Sequence, residues 1–260
     1  MRPTNVVDRV ADALEALADA GRPLGVTELA GILNVHKATA SRLMATLAQR
    51  GLVRRNAAGY LLGPALARLA ATAVAELELV DLSRPVLRDL VEATGEAAYL
   101  SIPYRGAVLY VEQITPHGGM VPNDWTGRMG PLHCSSSGKV FAAFDAVTDL
   151  DSRLTNPLPI LASRTINNPD AFRRLLPRVR RQGYAISSDE SEDGSTSVAA
   201  PVMGSDGEVL AAVGVGVATA RCSPQRLAQL GASTISAAKA LTRRLGPPRA
   251  VVAQRPTSGR

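Results

Sequence analysis

Cysteine is almost missing from this chain, aromatic residues make up only 3% of it, and no stretch of about twenty apolar residues occurs. Each shortage excludes something. Two cysteines, Cys134 and Cys222, cannot build a disulfide framework and lack the paired spacing of a zinc site. Without a long apolar run, no transmembrane helix is expected. The opening segment carries Asp8, Asp12, Glu15 and Asp19 inside its apolar pattern, which argues against a signal peptide. A cytoplasmic location is therefore expected, and no internal repeat is visible.

One further absence is local. No Asp or Glu occurs from Leu29 to Ala75. Residues 1–75 carry nine Lys/Arg against five Asp/Glu, residues 76–242 fifteen against eighteen, and residues 243–260 five Arg and no acid. A basic head on a mildly acidic body fits a DNA-contacting domain joined to one with another task. Only three of the 29 basic residues are lysine, a bias that genome base composition alone can produce. Charge by itself therefore leaves nucleic-acid binding open.

The pattern of residues 26–63 decides more. VTELAGIL (26–33) reads as a short helix, NVH (34–36) as a turn and KATASRLMATLAQR (37–50) as a second helix. GLVRR (51–55) and GYLLG (59–63) then read as two strands around the tip Asn56-Ala57-Ala58, the layout of a winged helix-turn-helix. In the second helix Ala40, Leu43 and Leu47 form a core stripe, while Lys37, Ala38, Ser41, Arg42 and Ala45 form a small, polar, basic face suited to a major groove. The residues expected at DNA are Lys37, Thr39, Ser41 and Arg42, with Arg54, Arg55 and Asn56 on the wing. Arg42 can donate twice to a guanine edge, whereas wing arginines more often neutralise phosphates. The competing reading is a solvated basic helix face.

Around this unit the periodicity predicts a first helix over about 5–19, stopped by Gly21, and a helix opened by Pro64. A further helix is expected over 83–95, with Ser83 as its cap and Pro85 in its first turn. From Glu96 the period changes to that of strands: EAAYLSIPY and AVLYVEQIT meet at Arg105-Gly106, and SVAAPVMG and EVLAAVGVGVAT meet at Ser205-Asp206-Gly207. LHCSSSGKVFAAF opens a helix on a serine run, PDAFRRLLPRVRRQG (169–183) is a basic helix before the strand YAISSDE, and a closing helix is capped by Ser223.

This order of segments resembles the IclR family of bacterial transcriptional regulators, from about Val6 to Leu245. The resemblance is carried by VVDRVADALEALA, TELAGILNVHKATASRLMATLAQRGLV, the LGP exit of the wing, GRMGPLHCSSSGKVFAAF, RRQGYAISSDESEDGSTSVAAPV and EVLAAVGVGVAT. It implies an α+β two-domain chain, in which an N-terminal winged helix-turn-helix is joined by a linker helix to a GAF-like α/β effector-binding domain. Expected bounds are 1–63 for the DNA-binding domain, 64–80 for the linker, 81–246 for the effector and oligomerisation domain, and 247–260 for a disordered basic tail. The implied partners are a double-stranded DNA operator, a small organic-acid effector and a second or fourth copy of the chain, with no membrane and no cofactor. Whether the output is repression or activation stays open.

The start of the helix at Leu132–Lys139 is the expected ligand site, since unpaired amides and small side chains favour an anion such as a carboxylate. Resemblance to relatives that bind small keto acids points to Ser136, Ser137, Ser187, Ser197, Gly214 and Gly216. Those relatives carry an acid where Ser187 stands and serines where Gly214 and Gly216 stand. The smaller side chains imply a roomier, less polar pocket and an acid larger than two or three carbons, with Tyr99, Trp125 and Met129 as further lining residues.

Catalytic readings fail on spacing. In SSSGKV a valine follows the lysine where a P-loop needs Ser or Thr, and Gly214-Val-Gly216 has no third glycine. Cys134 beside His133 invites a thiol nucleophile, but adjacent residues rarely face each other. The acidic run 189–193 reads as a solvated loop more readily than a metal site. The rival functions are a constitutive DNA-binding protein whose second domain only oligomerises, and a hydrolase dependent on Cys134.

Overall fold

Asn5 opens the first helix by a reciprocal cap: its side-chain oxygen accepts from the Asp8 amide and the Asp8 carboxylate accepts from the Asn5 amide, both at 3.0 Å. The computed structural model describes residues 5–75 (backbone only over 70–75), 78–116, 124–204 and 206–245. The expected tail 247–260, His117 and the turn residue Ser205 lie outside them. The chain divides into two units, one running to Asp81 and taking in Gly127–Met129, the other holding the remainder.

In the first unit α1 (Val6–Ala20) ends on Gly21 in the left-handed region, α2 (Val26–Ile32) precedes α3 (Lys37–Gln49), and β1 (Val53–Asn56) pairs antiparallel with β2 (Gly59–Leu62). Asn34 turns the chain between α2 and α3 at φ 50°, a conformation asparagine adopts more readily than most residues. Leu24 and Tyr60 exchange backbone hydrogen bonds, so a third segment is tied to the wing. Leu17, Leu24, Leu29, Met44, Leu47 and Tyr60 meet in one core. The expected stripe on α3 needs one correction: Ala40, Met44 and Leu47 are buried, and Leu43 is only partly so. Both triplets span the same arc of the helix, about 60°, so packing and not periodicity puts Met44 inside.

Helix α4 (Pro64–Ala75) starts at its proline, and α5 (Glu78–Thr94) follows. The expected start of that second helix at Ser83 is corrected. Ser83 is buried inside α5, and Pro85 stands within the helix rather than in its first turn. A proline removes one amide donor and crowds the carbonyl four residues back, so sequence alone favours it at a start.

The second unit is built on one curled sheet of six strands. β3 (Ala97–Tyr104) and β4 (Ala107–Ile114) form a hairpin through Arg105 and Gly106, both at positive φ. After β5 (Met129–Gly130) come α6 (Ser136–Ala143), the short α7 (Leu150–Arg153) and α8 (Pro169–Gln182), then β6 (Ala185–Ser188), β7 (Ser195–Met203), β8 (Val209–Ala218) and α9 (Pro224–Leu245). The sheet order is β5-β4-β3-β8-β7-β6, so the two hairpins are joined at β3 and β8, and the pairs β3–β4, β3–β8, β7–β8 and β6–β7 are all antiparallel. Strand alternation then sorts the side chains. Tyr99, Ser101, Ser197 and Ala199 share the face on which α6 lies, as the hydrogen bonds of Tyr99, Ser101 and Ser197 to Ser136 and Ser137 establish. Val198, Ala200, Val213 and Val215 point the other way, and α9 packs along β7 and β8 with Leu230, Thr234, Ala237 and Leu241 buried.

Met44→Ala should destabilise the first unit by about 2–5 kcal/mol through loss of burial and the cavity left behind. Ser41→Ala on the exposed face should stay within about 0.5 kcal/mol. Urea titration of both variants checks the assignment of the two faces.

Candidate functional site

Helix α3 presents Lys37, Ala38, Ser41, Arg42 and Ala45 exposed on one side, with Thr39 half-buried beside them. Its N-terminal residue, His36, makes no side-chain cap bond, and no acid stands in its first turn. The amides at that end are therefore not met by a negative group of the helix itself, which suits a phosphate. Arg54, Arg55 and Asn56 are exposed along β1. Two of them have structural duties as well. The Arg55 guanidinium lies 5.6 Å from the centre of the Tyr60 ring. The Asn56 side-chain oxygen accepts from the Ala58 and Gly59 amides at 2.9 and 3.0 Å, closing the wing turn. That oxygen, expected at the DNA, is committed to the fold.

In the second unit a cavity of ≈ 230 Å³ opens beside the start of α6. Tyr99, Tyr110 and Trp125 form its aromatic wall, Tyr99 and Tyr110 edge-to-face at 5.2 Å and Tyr110 and Trp125 tilted at 5.3 Å. Ser135, Ser195 and Ser197 also line it, as do Glu96 and Arg221. Glu96 is nearly enclosed and held by Arg221 at 2.5 Å and by Arg226 at 3.3 Å. Burial raises the Tyr99 phenol above its ordinary range and the Tyr110 phenol well above it, so both keep their protons at neutral pH.

Tyr99 takes its place because of the residue opposite. It pairs with Gly214 across β3 and β8, and a β-carbon at 214 would sit 2.4 Å from the tyrosine ring. At Gly216 the same construction meets nothing within 4 Å. One glycine is filled by a neighbour's ring, and the other leaves open space in the cavity wall.

The serine run does structural work behind that wall. The Ser135 hydroxyl caps α6 by accepting from the Gly138 amide at 3.1 Å and donates to the Pro131 carbonyl at 2.6 Å. Every residue of α6 is buried, Lys139 included. Its ammonium meets Glu190 at 2.5 Å and the Ile186 carbonyl at 2.9 Å, and burial lowers its pKa despite the carboxylate. Within the acidic run, Asp189 accepts from the Gly194 amide and the Thr219 hydroxyl, and Asp193 from Ser163. These acids are engaged in holding the loop.

The chain matches the model of the IclR helix-turn-helix domain over residues 6–57 and that of the bacterial transcriptional regulator IclR C-terminal domain over residues 71–243. The chain belongs to the IclR family. It is 32% identical to the HTH-type transcriptional regulator BhcR of Paracoccus denitrificans, over 93% of this chain and 87% of that protein. The solved structure of an IclR transcriptional regulator from Silicibacter sp. TM1040 superposes with a TM-score of 0.81 at 29% identity, covering 94% and 97% of the two chains. An IclR homologue from Microbacterium hydrocarbonoxydans, solved in complex with 4-hydroxybenzoate, shares the fold at a TM-score of 0.74 and 24% identity, over 92% and all of the respective chains.

As an IclR-type regulator the chain carries a DNA-binding helix-turn-helix and an effector-binding domain. Of the six residues first assigned to the effector, Ser197 and Gly216 line the cavity. Ser136, Ser137, Ser187 and Gly214 do not, because each is occupied by the protein itself. Ser136 bonds Tyr99 and Ser197, Ser137 accepts from Ser101, and Ser187 donates to the Cys134 carbonyl at 2.6 Å. Of the expected apolar lining, Tyr99 and Trp125 are present, whereas the strand residue at the wall is Gly130 rather than the exposed Met129. Sequence reasoning missed Tyr110, Glu96 and Arg221, whose only local sign was charge or aromaticity at a strand or loop. Burial pushes the Cys134 thiol up to about 11, and His133 directs Nε2 to the Pro159 carbonyl at 2.9 Å.

Gly214→Ser should displace the Tyr99 ring and lower stability by about 1–3 kcal/mol, the usual effect of overpacking. Gly216→Ser should leave stability within about 1 kcal/mol while narrowing the cavity. Thermal unfolding of the two variants side by side checks the contrast; equal losses would contradict the assigned surroundings.

Proposed function

We propose that this chain is a ligand-responsive transcriptional regulator, without enzymatic activity, that binds its operator as a dimer or tetramer in the cytoplasm and senses a carboxylic acid larger than two or three carbons. The observation that carries the effector class is the cavity: about 150 Å³ is enough to hold benzene in a protein interior, and this one measures ≈ 230 Å³ with three aromatic side chains on its wall. A ring with a carboxylate and one more substituent fits such a space; a two-carbon acid would leave most of it empty. The ring would stack against Tyr110 and Trp125, and the carboxylate would accept from the hydroxyls of Ser195 and Ser197, since the Ser135 proton is already given to the Pro131 carbonyl. The fold accommodates a ligand of this kind, since the Microbacterium homologue holds 4-hydroxybenzoate.

At the operator, Lys37, Thr39, Ser41 and Arg42 read or approach base edges while Arg54 and Arg55 neutralise phosphates. Two-fold pairing of chains would set recognition helices about 34 Å apart or at multiples of that distance. Effector binding changes the output only if it favours one arrangement of the chain over another.

Arg42→Ala should cost about 1–3 kcal/mol of discrimination at one base position. Arg54→Ala should weaken binding on all sequences and reduce the salt dependence by about one phosphate. Binding of purified protein to fragmented genomic DNA at several salt concentrations separates the two effects. Unaltered sequence preference in Arg42→Ala would remove that residue from the reading set.

For the effector, benzoate and hydroxybenzoates at about 100 times their Kd should stabilise the protein by about 2.7 kcal/mol. Pyruvate and glyoxylate should do so far less. A thermal-shift series decides this, and stabilisation by the small keto acids alone would replace the proposed class.

A further inference from the structure

A second cavity of the same unit, ≈ 210 Å³ and sharing no lining residue with the first, opens where the β3–β4 turn faces the loop between α6 and α7. Two arginines line it, Arg105 and Arg153, and no carboxylate does. Arg153 is part of the frame. Its Nε donates to the Thr148 carbonyl at 3.1 Å and its Nη1 to the Arg105 carbonyl at 3.0 Å, so the guanidinium staples the turn to the loop. Gly106 makes this approach possible, because its backbone stands at φ 80° and a β-carbon there would collide with the guanidinium. A guanidinium carries five N–H donors. The staple uses two of them, and Arg153 makes no further hydrogen bond and no ion pair among the described residues. Arg173 and Arg180, by contrast, are met by Asp151, Asp170 and Asp145. An ordinary exposed arginine swings in solvent; this one is fixed in direction, in the wall of a cavity that holds a second cation and no acid.

We propose that this cavity is a second ligand site, which takes the phosphate group of a small phosphate monoester. A fixed guanidinium meets two oxygens of such a group at once. A monoester carries close to two negative charges at neutral pH, and two arginines match that charge where a carboxylate would bring only one. The Thr148 hydroxyl, which makes no hydrogen bond among the described residues, is the donor for a third oxygen. The organic part lies against Tyr104, a ring 43% exposed at the same wall. Strand β3 carries Tyr99 of the aromatic cavity and Tyr104 of this one, so ligands at the two sites would load the same strand. The phosphate site does not rest on the reading of the aromatic cavity.

Calorimetric titration of the full chain with phenyl phosphate tests this, with phenylacetate as the carboxylate of similar size. Wild type should bind phenyl phosphate, one per chain, and phenylacetate more weakly. Arg153→Gln should weaken phenyl phosphate by about ten- to a hundredfold, the usual loss of a charged hydrogen-bonding partner. Because that variant also loosens the staple, Thr148→Ala gives a second reading in which the backbone carbonyl and the fold are kept. It should weaken the probe by about three- to tenfold. Full affinity in Arg153→Gln would overturn the site, whichever other surface then held the probe. If Arg153→Gln fails to fold, unchanged affinity in Thr148→Ala overturns it instead. Absence of binding to wild type at millimolar phenyl phosphate, or phenylacetate binding as tightly, would likewise refute a phosphate site.

Discussion

Much of the second unit depends on one van der Waals constraint, the absence of a β-carbon at Gly214. The Tyr99 ring occupies the space a side chain would take on the neighbouring strand. From there its edge meets Tyr110, which in turn meets Trp125, and its hydroxyl reaches the first residue of α6. The aromatic wall and the hydrogen bond to Ser136 are therefore two ends of one placement. An aromatic ring covering a glycine across a strand pair also recovers packing the glycine forgoes.

A second constraint operates on α6, a helix with no solvent face. Eight consecutive buried residues including two serines, a glycine and a lysine would be a poor core on hydropathy alone. The polar groups are tolerated because each finds a partner in the sheet or loop it faces: Ser136 with Tyr99 and Ser197, Ser137 with Ser101, Lys139 with Glu190 and the Ile186 carbonyl. A buried ion pair of this kind contributes little net stability, but removing one partner is expensive. It ties the loop after β6 to the helix, and Thr165 and Ser163 tie the same loop from the other side. The cavity wall that Ser191, Glu192 and Gly194 supply is held in place by these bonds.

How legible this was in sequence follows from the range of each interaction. The helix-turn-helix, the two hairpins and the caps of α6 and α9 are short-range patterns, and residue types at fixed offsets disclose them. The displacement of the α3 core stripe to Met44 arises because both Leu43 and Met44 are apolar and only packing chooses between them. Pro85 misplaced the start of α5, since local chemistry favours proline in a first turn and tertiary packing carried the helix through it. The cavity was the least legible part. Serines at 136, 137 and 187 look like ligand donors, yet they are consumed by partners brought in through the β3–β8 and β6–β7 pairings. The partnership of Tyr99 with Gly214 spans the join between the two hairpins, and no local pattern encodes it.

The same geometry bears on what distinguishes one occupant from another. Among the described residues lining the cavity, Arg221 is the one cation, and its guanidinium is already paired with Glu96. Glu192 adds a second acid to the lining. The wall thus offers no net positive charge to a carboxylate, whose negative charge would be met by hydroxyl protons such as those of Ser195 and Ser197. Hydrogen bonds to an ionised acceptor are about twice as strong as neutral ones, so an acid still has the advantage over a ketone of the same shape. That advantage depends on the donors pointing outward from the protein, however, and not on a counter-ion. The space left open at Gly216 then sets how large a ring can come with the acceptor.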